Sequence, residues 1–187
     1  MIELHVLVWV LAAFFAYMGS QRGWTKELIS MAGIVLGLFA MYQFDGLIRV
    51  TLLGQLPPDQ RFYLQSLLFL IVVFFAYQSR ALVGHEATRA RTGTDGRDPL
   101  QSRVLGGIAG LVNGYLVGGT IWYFLDINRT SVGTYPLDPY VVAPVSGSAS
   151  ALALQNLPLY VLTQNSGGGD LLSLAVVILF IIVLVII

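Results

Sequence analysis

The sequence predicts an all-α membrane protein: a polytopic bundle of four long transmembrane helices with a shorter fifth helix at the C-terminal end. Three observations carry that expectation. Apolar residues make up 56% of the 187-residue chain and charged residues only 11%, where soluble domains carry about a quarter. The apolar residues gather into runs near the length that spans a bilayer, about 17–25 residues of helix. Four glycines, Gly106, Gly110, Gly114 and Gly118, recur at every fourth position inside one such run. In water each would cost a helix roughly 1 kcal/mol relative to alanine, whereas in lipid they let two helix backbones approach closely.

The first span covers about residues 4–18. Only Glu3 and His5 are polar before Val6, so the basic region of a cleaved leader is missing and a retained helix is expected. A tight connection, Gly19 to Glu27, leads into the second span at about 28–44. Between Asp45 and Arg61, Gly54 and the Pro57-Pro58 pair break one helix and start the next. The third span, about 62–83, is carried by Leu67 through Phe75. The loop 84–103 is the most charged segment, with Arg89, Arg91, Arg97 and Arg103 among Glu86, Asp95 and Asp98. The fourth span, 104–125, holds the glycine ladder, with Asn113 as its one strongly polar side chain. Residues 126–170 are poor in charge and rich in Gly, Ser and Pro; such a length is expected to be loosely ordered or packed on a partner. The last segment, 171–187, is apolar except for Ser173 and is expected to cross the membrane.

Basic residues set the orientation. With the amino terminus outside, the inner side holds Arg22, Lys26, Arg80, Arg89, Arg91, Arg97 and Arg103, and the outer side only Arg49, Arg61 and Arg129. That positive-inside bias places the 84–103 loop in the cytoplasm and the 126–170 loop outside.

Several functions are expected to be absent. A net charge of zero gives no footprint for nucleic acid. The chain has no cysteine, so disulfides, thiolate metal sites and cysteine nucleophiles are excluded together. His5 and His85 fall on opposite sides of the membrane, which argues against a metal site. Ser146-Gly147-Ser148 lacks the flanks of a nucleophile elbow. We expect no catalytic residues, no cofactor and no small-molecule substrate: not an enzyme. No acidic or basic residue lies in the middle of a span, which argues against ion-coupled transport. Phe14, Phe15, Tyr17, Trp122, Tyr123 and Phe124 sit near span ends, where aromatic rings anchor in the interface.

Two features concern packing. Gly33 and Gly37 form a second small-residue seam on the second helix. The two glycine-bearing helices are expected to pack on each other within a monomer, or alternatively to form a self-association or pore-lining seam. Asn113 needs an interhelical hydrogen-bond partner, since an unpaired amide is costly in hydrocarbon. The connection after the first span concentrates interface chemistry: Gly19 and Gly23 permit a reversal, Arg22, Trp24 and Lys26 suit the headgroup layer, and Glu27 complements the positive end of the second helix.

Gly19-x-x-Arg22-Gly23-Trp24-x-x-Glu27-Leu28, followed by Ser30-Met31-Ala32-Gly33, resembles the colicin V production protein family. Ser102-Arg103-Val104-Leu105-Gly106 with Gly110 is similar to that family's entry into its fourth helix. The matching region runs from about residue 2 to 125. The resemblance implies a four-helix protein of the bacterial inner membrane with its amino terminus outside, associated with toxin production or export and with envelope stress. The leading functional expectation is a non-enzymatic scaffold or accessory protein, in contact with the lipid bilayer and with a membrane-protein partner or copies of itself. The alternatives are an accessory subunit of a respiratory or photosynthetic complex, and an oligomeric channel lined by the glycine-rich helix.

Overall fold

One residue makes the first reversal. In a computed structural model describing residues 3–78, 99–163 and 171–186, helix α1 (Leu4–Arg22) and helix α2 (Trp24–Gln43) are joined by Gly23 alone. Its φ of 84° lies where only glycine sits without strain, and its N–H closes α1 on the Gly19 carbonyl at 2.9 Å. The Gly19–Glu27 connection expected from the sequence is therefore almost entirely helical. Apolar content marks the part of a helix that lies in lipid, and the hydrogen-bonded backbone continues beyond it.

The other helices also overrun their apolar runs. Helix α3 is Pro58–Gln78 and α4 is Pro99–Ile127. Each opens on a proline, which suits the first helical turn because its missing N–H has no partner there. Between α2 and α3 lies a short π-helical segment, Gly46–Leu52, which the turn signals did not foretell. It displays Leu47, Val50 and Leu52 outward and carries an Asp45–Arg49 ion pair of 2.9 Å. The Arg61 guanidinium closes the following turn on the carbonyls of Leu56 (2.7 Å) and Gly54 (3.0 Å).

The 126–170 region departs most from expectation. Over its described part it is folded onto the bundle, with two short helices, α5 (Ala149–Leu154) and α6 (Pro158–Thr163). Helix α7 (Leu171–Ile186) packs on α2 and α6. The segment of Arg89, Arg91 and Arg97, with His85, lies outside the described residues.

Helix α4 is the centre. Its glycine face takes α1, the neighbouring face takes α2 and part of α3, and α5 and α6 lie against α1 and α4 respectively. Ile34, Leu38, Phe69, Phe124 and Leu172 form the closed interior, with Phe69 and Phe124 meeting edge to face at 6.0 Å. Trp122 and Phe124 face this interior and are almost fully buried, which corrects the expectation that they anchor in the interface; Phe14 and Tyr17 do point outward. Four helices, α1 to α4, are long and apolar enough to cross a membrane. The described residues contain no strand. Val10 and Phe14 on α1, Phe74 and Phe75 on α3, and Phe180 and Leu184 on α7 are exposed, forming an apolar mantle suited to lipid tails. Helix α7 is about 24 Å long, shorter than the roughly 30 Å hydrocarbon layer.

Candidate functional site

The glycine ladder packs on α1, and this arrangement builds the site. A Cβ on Gly19 would fall 2.9 Å from the Gly110 Cα, and one on Gly114 would lie 2.7 Å from the Ala12 Cα. Gly106 and Gly110 face Gly19, Gly23 and Phe15, while Gly118 faces Leu11 and Val8. The two glycine-bearing helices, α2 and α4, do pack on each other within the chain, but not through their glycine faces. Gly33 and Gly37 instead receive Ala76 and Val72 of α3. The ladder's small-residue face is consumed within the chain, so it does not line a central pore.

Close approach of α1 and α4 brings the first hairpin against Asn113. Glu27 is fully buried. Its Oε1 accepts from the Arg22 guanidinium at 2.5 Å, and its Oε2 accepts from Asn113 Nδ2 at 2.9 Å and from the Tyr77 hydroxyl at 3.1 Å. Asn113 also donates to the Glu27 carbonyl at 3.2 Å. Arg22 lies 4.4 Å over the Tyr77 ring and donates weakly to Ser30 Oγ and the Tyr77 carbonyl at 3.4 Å. One carboxylate thus ties α1, α2, α3 and α4 together. Both of its oxygens are occupied, so the geometry is that of a fastening. Asn113 Oδ1 accepts no hydrogen bond from the described residues.

This corrects one expectation and extends another. Arg22 turns inward instead of meeting headgroups, and Glu27, which does lie in the first turn of α2 as expected, is in addition a buried charge. Trp24 is half-buried. The motif spacing displayed these residues; their meeting depended on the distant Tyr77 and on the path that the glycines open. A family model described as Colicin V production protein matches residues 4–136. The chain belongs to that family. In this colicin V production protein the match takes in α1 to α4 whole and ends just past Tyr135, beyond the residue 125 anticipated from the motifs. No curated protein and no solved structure is significantly similar to the chain.

A second cluster closes the C-terminal end of α4. Asp126 Oδ1 accepts from Arg129, whose Nε lies 3.0 Å away, and from the Tyr135 hydroxyl at 3.2 Å. Its Oδ2 accepts from Tyr160 of α6 at 2.6 Å. Trp122 Nε1 donates to the Tyr135 oxygen at 2.9 Å, and Tyr135 is almost wholly buried. Beside it Asn128 donates to Gln65 Oε1 at 2.5 Å. Burial first, and the Asp126 charge behind it, outweigh the Trp122 hydrogen bond and push the Tyr135 hydroxyl up to about 12. Burial and then the Asp126 bond and charge also raise Tyr160. Nothing in the sequence singled out this cluster, because its carboxylate carries no motif.

His5 is joined by Glu3 and Ser150. Ser150 donates to Glu3 Oε2 at 3.0 Å, and His5 Nδ1 lies 3.1 Å from both Ser150 Oγ and Glu3 Oε2. A nucleophile triad divides the serine and carboxylate between the two ring nitrogens; here one nitrogen meets both, and the buried serine fastens α5 to the head of α1. No group of three metal-ligating side chains gathers among the described residues.

Proposed function

We propose that this colicin V production family protein is a non-enzymatic membrane scaffold, serving an envelope or toxin-production process by presenting the 128–148 segment to a membrane-protein partner. One observation carries the reading. That segment is fastened at Tyr135 by Asp126 and Trp122, yet it displays Val132, Tyr140 and Val145 at 81%, 92% and 75% exposure. A fastened backbone displaying apolar side chains away from the helices suits docking, because little ordering remains to be done on binding. The carboxylates of both clusters are meanwhile spent on internal bonds, which favours a binding role over chemistry.

The family association favours the bacterial inner membrane. The excess of Arg and Lys in the sequence on the Gly23 side favours placing that side in the cytoplasm and the 128–148 segment outside. The test is purification from native membrane in mild detergent. A stoichiometric partner should co-purify with the natural chain and be lost on combined Tyr140→Ala and Val145→Ala substitution, with yield and melting unchanged. Recovery of the same partner by the doubly substituted chain would refute the assignment of this surface.

A further inference from the structure

One stripe of α4 is divided into a covered and a bare half. Tyr115, Gly119, Trp122 and Asp126 recur at helical spacing on a single face, and residues of the 128–163 region cover each of them. Tyr115 donates to the Asn156 carbonyl at 2.5 Å, Gly119 faces Pro158, and Trp122 and Asp126 meet Tyr135 and Tyr160. On the same face, nearer the Gly23 end, Val104, Ile108, Leu111 and Val112 are exposed. The boundary is the turn between α5 and α6, where Gln155 and Asn156 are also exposed.

That turn lies beside the candidate membrane span of α1. Trp9 stacks on Tyr115 with ring centres 5.6 Å apart, and Tyr115 holds the turn. The turn is therefore about 8 Å along α1 from Leu4. With the apolar span of α1, which begins at Leu4, set in the hydrocarbon layer, α5 and α6 become a re-entrant hairpin whose tip enters that layer. Asn156 spends its amide on the Leu152 carbonyl at 3.2 Å, and the Gln155 side chain has no partner among the described residues. An unpaired amide at that depth is unfavourable, and lipid offers hydrogen-bonding groups only nearer its surface.

We infer that this face, Gln155 above and the bare α4 stripe of Ile108 and Leu111 below, is the interface for a second copy of this chain. Two copies of one orientation relate through an axis along the membrane normal, which sets every residue opposite its counterpart at equal depth. A primary amide both donates and accepts, so Gln155 satisfies its own counterpart, and the apolar stripe beneath meets itself. The Gly106–Gly118 ladder takes no part, since α1 covers it.

The chain has no cysteine, so single-cysteine crosslinking gives a clean test. Ile108→Cys, Leu111→Cys and, as a control on the outward face of α3, Phe74→Cys, all exposed positions, are oxidised in native membranes. The expected result is a covalent dimer from the first two at several times the control yield. Adding Gln155→Leu to Ile108→Cys should lower dimer formation by about 3- to 30-fold, the range for an interhelical polar pair in lipid. Yields no greater than the control, or a crosslinked band at the mass of a different protein, would overturn the proposal. Unchanged dimer formation after Gln155→Leu would refute the amide pairing and with it the reason for choosing a second copy.

Discussion

Helix α4 is fastened at its middle, through Asn113, and at its C-terminal end, through Asp126, by the same kit, a carboxylate with an arginine and tyrosine hydroxyls, and the two closures do different work. At the middle, Glu27 gathers Arg22, Tyr77 and Asn113 from three other helices, the latter two 50 and 86 residues away. At the C-terminal end, Asp126 gathers Arg129, Tyr135 and Tyr160, all within 34 residues and all from the chain that follows it. The first cluster fixes the register of membrane helices; the second fastens a peripheral segment to a finished bundle. Identical groups thus acquire different roles from the span of chain they close.

That contrast can be broken most forcefully at Glu27. Replacing one member of a buried ion pair leaves the other charge uncompensated, at a cost of about 3–5 kcal/mol. Glu27→Leu should therefore lower the unfolding free energy in detergent by that amount, and Arg22→Leu added to it should restore part of the loss. If the double substitution were no less damaging than the single one, the pair would not be coupled. Gly114→Leu comes next. A side chain there meets Ala12 and Phe15 at once, and overpacking of this kind costs about 1–3 kcal/mol. Its diagnostic is an exposed Arg22, read as faster chemical modification of that guanidinium.

Much of the bundle was legible beforehand because hydropathy and glycine spacing are local signals. The four long helices, the hairpin residues and Asn113 all followed from them. Partner choice did not. Which helix a glycine face receives depends on the whole arrangement, and α1 carries only Gly19 to advertise its side of the seam. The burial of Glu27 was hidden for a related reason. A carboxylate near a helix start has an adequate local explanation, and only three donors, two of them remote, make the interior tolerable. The 128–163 region was hardest, because its fastening relies on Asp126 and scattered tyrosines among turn-forming residues.

Smaller perturbations sharpen the distinction. Tyr160→Phe removes one hydrogen bond to Asp126 and should cost about 1 kcal/mol, seen as faster proteolysis of the α6 region with bundle melting unchanged. The pH response should separate the two closures as well. Tyr135 and Tyr160 both hold their protons more tightly when fastened. The stabilising contribution of Tyr135 is therefore complete below about pH 10, the ordinary tyrosine value, and is lost as pH climbs through about 12. Proteolysis of the 128–148 segment should accelerate over that window, and Tyr135→Phe should flatten the response.

Hydrogen exchange in detergent, compared between Asp126→Asn and Glu27→Leu, tests the division of labour most directly. The account predicts that Asp126→Asn accelerates exchange across 128–163 and leaves α1 to α3 protected, whereas Glu27→Leu accelerates exchange in all four long helices. Equal loss of protection in α1 to α3 from both substitutions would contradict it.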